Sequence, residues 1–152
     1  MNSHTAIIKV KEEKISSEKA KNFILSEENG AESIFVGRVR NENDGKKVTA
    51  VTYDTHDQAV IKSFKLICDD AKNKFDKNAK IFLEHAKGYV PVGEISILIA
   101  VSSGHREEAF KICRYILEEI KHKSPIWKKE HYVEGGAEWL PGHSLRPKEE
   151  II

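Results

Sequence analysis

Cysteine is scarce in this chain. Cys68 and Cys113 are its two cysteines among 152 residues, and their wide spacing excludes a disulfide framework, a Cys-x-x-Cys zinc site and dithiol redox chemistry. Long apolar runs are lacking as well. Nothing approaches the roughly 18 consecutive apolar residues of a membrane-spanning helix, and Met1-Asn2-Ser3-His4-Thr5 lacks the order of a signal peptide, so a cytoplasmic location is expected. No charge sign dominates: 25 Lys and Arg against 24 Asp and Glu leave a formal net charge of +1, too little field to hold a long nucleic acid. Aromatics make up only 8%, which leaves weak RNA binding by stacking as the least favoured reading. His4, His56, His85, His122, His131 and His143 show no paired metal-site spacing and are read as surface or locally hydrogen-bonded residues. No Ser-His-Asp order and no Walker loop occurs, so no metal or cofactor is called for.

What is present is enough apolar residue, 39%, to build the core of one domain. Thr5 to Val10 reads as a strand, and Ser16-Ser17-Glu18 caps a helix running to about Ser26. Ala31 to Arg40 and Val48 to Thr55 read as two strands of a hairpin, joined by a long tip containing Asn41-Glu42-Asn43-Asp44-Gly45. Asp57 is a candidate cap for a helix whose apolar face is Val60, Phe64, Ile67, Cys68, Ala71 and Phe75. Strands from Lys80 to Gly88 and from Glu94 to Ser102 follow, separated by Val90-Pro91-Val92-Gly93, the second apolar enough to be central. The last helix spans Arg106 to about His122, with Ala109, Phe110, Cys113, Ile116, Leu117 and Ile120 on its core face. Pro125 prevents its continuation. Ile126 to Val133 and Glu138 to Leu140 read as closing strands around Gly135-Gly136. The domain spans 1–140, and the charged tail of 141–152 is expected to be disordered.

Positive charge is concentrated where the neutral total does not reveal it. Ser102-Ser103-Gly104-His105-Arg106 lies where an apolar strand turns into a helix, so backbone N–H groups and hydroxyls there can cradle an anion beside His105 and Arg106. An ordinary capped helix start with Arg106 folded onto a nearby acid fits the same segment. Lys121-His122-Lys123-Ser124-Pro125-Ile126-Trp127-Lys128-Lys129-Glu130 is a dense cationic run. Lys121 and Lys128 held close together would supply an amine as nucleophile or proton carrier; solvated lysines compensating a helix dipole are the plainer account. Arg38, Arg40 and Asn41 end a strand, where an arginine can reach over a pocket. A neutral protein with one concentrated basic site suits a small phosphorylated ligand better than a polymer.

Taken in order, Phe35-Val36-Gly37-Arg38-Val39-Arg40-Asn41, Ser103-Gly104-His105-Arg106, and Lys121 with Pro125-Ile126-Trp127-Lys128-Lys129-Glu130 resemble the large, catalytic subunit of molybdopterin synthase. The resemblance spans roughly Ala31 to Leu140, and its Pro-x-Trp-Lys-x-Glu block is specific. It implies a hammerhead-like α+β domain with mostly antiparallel sheet and about three helices. It also implies a sulfurtransferase that places two sulfurs on cyclic pyranopterin monophosphate. The sulfur would come from the C-terminal Gly-Gly thiocarboxylate of a small ubiquitin-like subunit, within a heterotetramer built on a homodimer of large subunits. Glu150-Ile151-Ile152 is no such tail, so this chain is expected to receive sulfur. By the same resemblance Lys121 and Lys128 are catalytic. Arg38, Val39, Arg40, His105, Arg106, Lys121, Lys128, Lys129 and Glu130 line the substrate, and Phe35 forms a pocket wall.

Arg106 and Lys121 are fifteen positions apart on one predicted helix, which separates their backbones by about 22 Å at 1.5 Å per residue. If both serve one site, that site is composite across a two-fold interface. Two segments depart from the family pattern: His85-Ala86-Lys87-Gly88 stands for His-Arg-x-Gly, and Tyr53-Asp54-Thr55-His56 for a Tyr-Glu-Ala-Tyr-like run. Lys87 can supply the missing arginine's charge but not its bidentate geometry. A noncatalytic module that binds a phosphorylated ligand or an acidic tail is the alternative open at this point.

Overall fold

The computed structural model describes residues 2–141. In chain order it contains β1 (Ser3–Lys9), α1 (Ser17–Ile24), β2 (Ala31–Arg38), β3 (Glu42–Asn43), β4 (Lys46–Thr55), α2 (Asp57–Lys74), β5 (Lys80–Pro91), β6 (Ile95–Ser103), α3 (Arg106–Lys123), β7 (Ile126–Tyr132) and β8 (Ala137–Trp139). The expected α+β domain with three helices and a mostly antiparallel sheet is what forms. Of the tail of 141–152, all but Pro141 lies outside the described residues, as does His143.

The sheet runs β2-β6-β5-β4-β7-β8, with β1 added to β5 and β3 to β4. Among the described residues only β1 runs parallel to its partner. Strand β6 is buried along nearly its whole length and pairs on one edge with β5 and on the other with β2. That arrangement overturns the expected hairpin between Ala31–Arg40 and Val48–Thr55. A strand as apolar as β6 leaves two ladders of backbone donors and acceptors to satisfy away from water, and β2 supplies the second. Past β2 the Val39 N–H bonds Glu94 O at 3.1 Å and its carbonyl accepts from Gly93 N–H at 2.8 Å, which carries the chain toward the β5–β6 turn. What survives of the hairpin is the short β3–β4 pair around Asp44-Gly45, both at positive φ.

Alternation along β6 sorts the helices. Ser102 Oγ donates to Ile24 O at the end of α1 at 2.6 Å, whereas its neighbour Ser103 reaches Asp76, just past α2, on the opposite face. Helices α2 and α3 pack on each other and share that second face. On α2, Val60, Phe64, Ile67, Cys68 and Ala71 are buried as their spacing predicts. On α3 the buried set is Ala109, Ile112, Cys113, Ile116 and Ile120. Phe110, expected in the core, is 63% exposed. It sits about 100° round the helix from Ala109, and Ile112 takes the inward position. The N-cap of α2 is His56, whose Nδ1 accepts Ala59 N–H at 3.3 Å, not Asp57, which stands in the first turn. Both cysteines are buried.

Candidate active site

The N-terminus of α3 is the first candidate region. His105 is the N-cap residue, extended at φ −133° and ψ 155°, and its side chain makes no capping bond to the first turn. His105 and Arg106 are exposed. The two serine hydroxyls expected to face a bound anion do not: Ser102 donates to Ile24 O, and Ser103 donates to Asp76 Oδ2 at 2.5 Å. Both residues are fully buried, and a buried hydroxyl has to find its partner inside the protein. Burial pushes the Asp76 carboxyl up. Hydrogen bonds from Ser103 and from the Asn78 and Gly104 N–H groups, with the charge of His105, outweigh it and hold the carboxyl below the usual range. A cleft of about 530 Å3 opens beside this turn, lined by Phe75, Asp76, His105 and Glu108 among others. Its carboxylates disfavour a phosphate inside the cleft itself.

The C-terminus of α3 is the second candidate region. Lys121 is exposed in the last turn. The connection to β7 is short and held from α2: Ser124 Oγ and Ser63 Oγ are 2.7 Å apart, and His56 N–H donates to Pro125 O at 3.3 Å. Ser124 N–H closes the helix on Ile120 O at 3.1 Å, and Ile126 N–H bonds Ser124 O at 2.9 Å. Lys128 is exposed two residues into β7, opposite Tyr53 of β4. Lys129, next along the strand, points to the other face, where its ammonium lies 5.7 Å from the Trp139 ring. Glu130 is buried and accepts the Tyr132 hydroxyl at 3.0 Å. Of the cationic run, Lys121 and Lys128 are therefore the pair presented from the two sides of one anchored turn. Lys129 stands apart from Lys128, and Glu130 is engaged inside the fold.

Strand β2 contributes a third region. Phe35 is 37% exposed on this edge strand. The Arg38 guanidinium donates to Gly93 O at 2.7 Å, which ties it to the β5–β6 turn. Val39 is a core residue, 4% exposed, while Arg40 is exposed beyond the strand.

His85 is the residue that sequence reading undervalued. It is a core histidine, so of the two readings, surface or locally hydrogen-bonded, the second holds. Its Nδ1 lies 2.8 Å from Ala86 O, a bond that fixes the proton on Nδ1 and leaves Nε2 as acceptor. Burial is the main cause that lowers its pKa to about 4; the bond to Ala86 opposes this, and the Lys128 charge adds to it. The ring is neutral near pH 7 and meets the Tyr53 ring edge-on with centroids 5.1 Å apart. Burial also raises the Tyr53 hydroxyl, with a bond to Ser96 opposing and the Glu130 charge assisting. The two departures from the family pattern are thus neighbours. Besides the Tyr53–His85 contact, Lys87 Nζ pairs with Asp57 Oδ1 at 2.8 Å, and the same oxygen accepts the Thr55 hydroxyl at 2.5 Å.

The family profile described as MoaE protein matches residues 10–123, three quarters of the chain. The chain belongs to the MoaE family. Molybdopterin synthase catalytic subunits resemble it over most of their length: that of Synechococcus elongatus is 40% identical over 126 residues, covering 83% of this chain and 76% of the relative. That of Dictyostelium discoideum is 40% identical over 122 residues, covering 80% and 77%. The crystal structure of molybdopterin synthase from Staphylococcus aureus superposes with a TM-score of 0.82 at 33% identity, over 90% of this chain and 96% of that one. A chain from Helicobacter pylori, described as a "Protein-protein complex of subunit 1 and 2 of Molybdopterin-converting factor", shares the fold at 22% identity and TM-score 0.67, covering 89% and 88%. The MoaE-family chain is therefore a catalytic subunit of the enzyme of molybdenum-cofactor synthesis. Its matched region contains Arg40, His105, Arg106 and Lys121, and Lys128 follows five residues beyond. No helix of the described residues is long and apolar enough to cross a membrane.

Proposed function

We propose that this chain inserts two sulfurs into cyclic pyranopterin monophosphate, using the thiocarboxylate at the C-terminal Gly-Gly of a small ubiquitin-like subunit as donor. The observation that carries the reading is the placement of Lys121 and Lys128 on either side of one short turn pinned by Ser63 and His56. Two exposed ammonium groups so held can receive a carboxy-terminal tail and a phosphorylated ring together. Lys121 assists attack and proton transfer, while Lys128 with Arg38 and Arg40 stabilises phosphate and the developing oxyanion. His105 and Arg106 bind the substrate from a second copy of the chain, in a homodimer that carries a small subunit at each end. The complex of subunit 1 and subunit 2 described for the Helicobacter pylori protein supports the pairing with a second kind of subunit. The buried cysteines fit a chain that receives sulfur: burial raises the Cys68 thiol to about 12 and the Cys113 thiol above its ordinary value. No cofactor is assigned, and the cytoplasm is the proposed location.

The test is incubation of the purified chain with cyclic pyranopterin monophosphate and a thiocarboxylated small subunit, followed by mass spectrometry for two added sulfurs. Dithiolene formation is the expected result. Substrate binding without sulfur gain, given a donor proven active with another synthase, would overturn the reading.

A further inference from the structure

The turn that precedes α3 is gripped from three directions. The end of α1 takes the Ser102 hydroxyl through Ile24 O at 2.6 Å, and the Asn29 amide donates to Ser102 Oγ at 3.0 Å. The third grip comes from Asp76, immediately past the C-cap of α2. Its Oδ2 accepts the Ser103 hydroxyl at 2.5 Å, and its Oδ1 accepts Asn78 N–H at 2.9 Å, which keeps the carboxylate in its own loop. Gly104 N–H also bonds this carboxylate, and the His105 charge acts on it. Asp76 thus holds the turn at Ser103 and Gly104, immediately before His105, from another element.

A turn of this kind has little stiffness of its own. Gly104 carries no side chain, and the N-cap side chain of α3 makes no bond to the helix. A fixed carboxylate that takes donors from the turn supplies the missing constraint, as outer partners do for groups that must be held to a fraction of an ångström. We propose that Asp76 is a positioning residue of the substrate site: its carboxylate locks the Ser103-Gly104-His105 turn so that His105 and Arg106 are presented together at the start of α3. The proposal rests on the reading of His105 and Arg106 as substrate ligands, and Asp76 itself touches no substrate.

The test is a double-mutant cycle on the enzyme reconstituted with thiocarboxylated small subunit, measuring KM and kcat for cyclic pyranopterin monophosphate. Asp76→Ala is expected to raise KM about tenfold with kcat changed much less. In a background that already carries His105→Ala and Arg106→Ala, it is expected to add less than about twofold, because nothing remains to be positioned. An unchanged KM, or the same added factor in both backgrounds, would overturn the proposal in favour of a general structural role. If His105→Ala with Arg106→Ala leaves KM unaltered, the substrate reading fails first and Asp76 has nothing to position. Should Asp76→Ala not fold, Ser103→Ala removes a single bond of the lock. It is expected to raise KM about threefold with the same loss of effect in the doubly substituted background, and full additivity would overturn the proposal.

Discussion

Arg106 and Lys121 stand at opposite ends of one uninterrupted helix, α3 (Arg106–Lys123), with their backbones about 22 Å apart at 1.5 Å per residue. A small phosphorylated pterin cannot touch both ends of that rod within one chain. Two copies related by a two-fold axis can bring the start of one α3 to the end of the other. Arg106→Ala and Lys121→Ala chains, each strongly impaired alone at substrate concentrations below the wild-type KM, are then expected to complement when mixed. Random exchange makes half of the dimers mixed, and each mixed dimer holds one intact and one doubly damaged site, so about a quarter of wild-type activity should return. Activity measured after native mass spectrometry has verified subunit exchange decides the matter: no recovery means that both residues act within one protomer or at separate sites.

Lys121 is exposed in the last turn of its helix, where a cation favourably meets the helix dipole. Its removal therefore costs little fold stability, at most about 1 kcal/mol. On the proposed function, in which Lys121 assists proton transfer, its loss is expected to lower product formation about 10²- to 10⁴-fold. Product analysis, a melting curve and a titration with the small subunit separate the two effects. Wild-type turnover by Lys121→Ala would remove the residue from the mechanism.

Local signals were legible in the sequence and long-range ones were not. The α2 stripe from Val60 to Ala71, the stop at Pro125 and the Gly135-Gly136 turn depend on neighbours within a few residues, and each was read directly from residue order. The partner of β2 was not, since Ala31–Arg38 and Lys46–Thr55 look like a hairpin until β6 claims the first of them. The same limit hid Asp76 and His85. Asp76 reads as one more polar residue after a helix, and only the packed structure brings it to Ser103, 27 positions away. His85 carried one faint signal, its place in a segment that departs from the family pattern, but its burial against Tyr53 is a tertiary fact. The cationic segments were legible because charge density and glycine-proline punctuation are local; the contacts that hold those segments were not, because they are long-range.

Neither thiol should react readily in the folded protein. Cys68 is 1% exposed and Cys113 6%, and burial moves both thiols away from the reactive thiolate. A thiol reagent added to the native chain at pH 8 is expected to label fewer than about one in ten of these cysteines in the time it labels both in denaturant. Loss of activity on rapid native modification of either cysteine would show that a thiol is reachable and used, contrary to the assignment of sulfur transfer to the partner's thiocarboxylate.

The buried imidazole of His85 links stability to pH in a definite direction. Well above pH 7 it is neutral in both folded and unfolded chains and contributes no pH dependence. As pH falls below the ordinary value of 6.5, the unfolded chain takes up a proton that the folded chain refuses until about pH 4. Protons then favour unfolding, and stability is expected to drop by roughly 2 kcal/mol by pH 5 and about 3 kcal/mol by pH 4 from this group alone. The carboxyls of Asp57 and Asp76, held low by their hydrogen-bond donors against the opposing effect of burial, act in another window. Their contribution persists above the ordinary carboxylate value of 3.8 and is lost only below it. Urea unfolding between pH 7.5 and pH 4.5 stays above that carboxylate window, and comparison with His85→Phe separates His85 from the other histidines. His85→Phe keeps an aromatic ring against Tyr53 and removes this titration, so its stability should fall by roughly 2 kcal/mol less than that of the wild-type chain by pH 5. A fall as steep as that of the wild-type chain would place the proton uptake elsewhere.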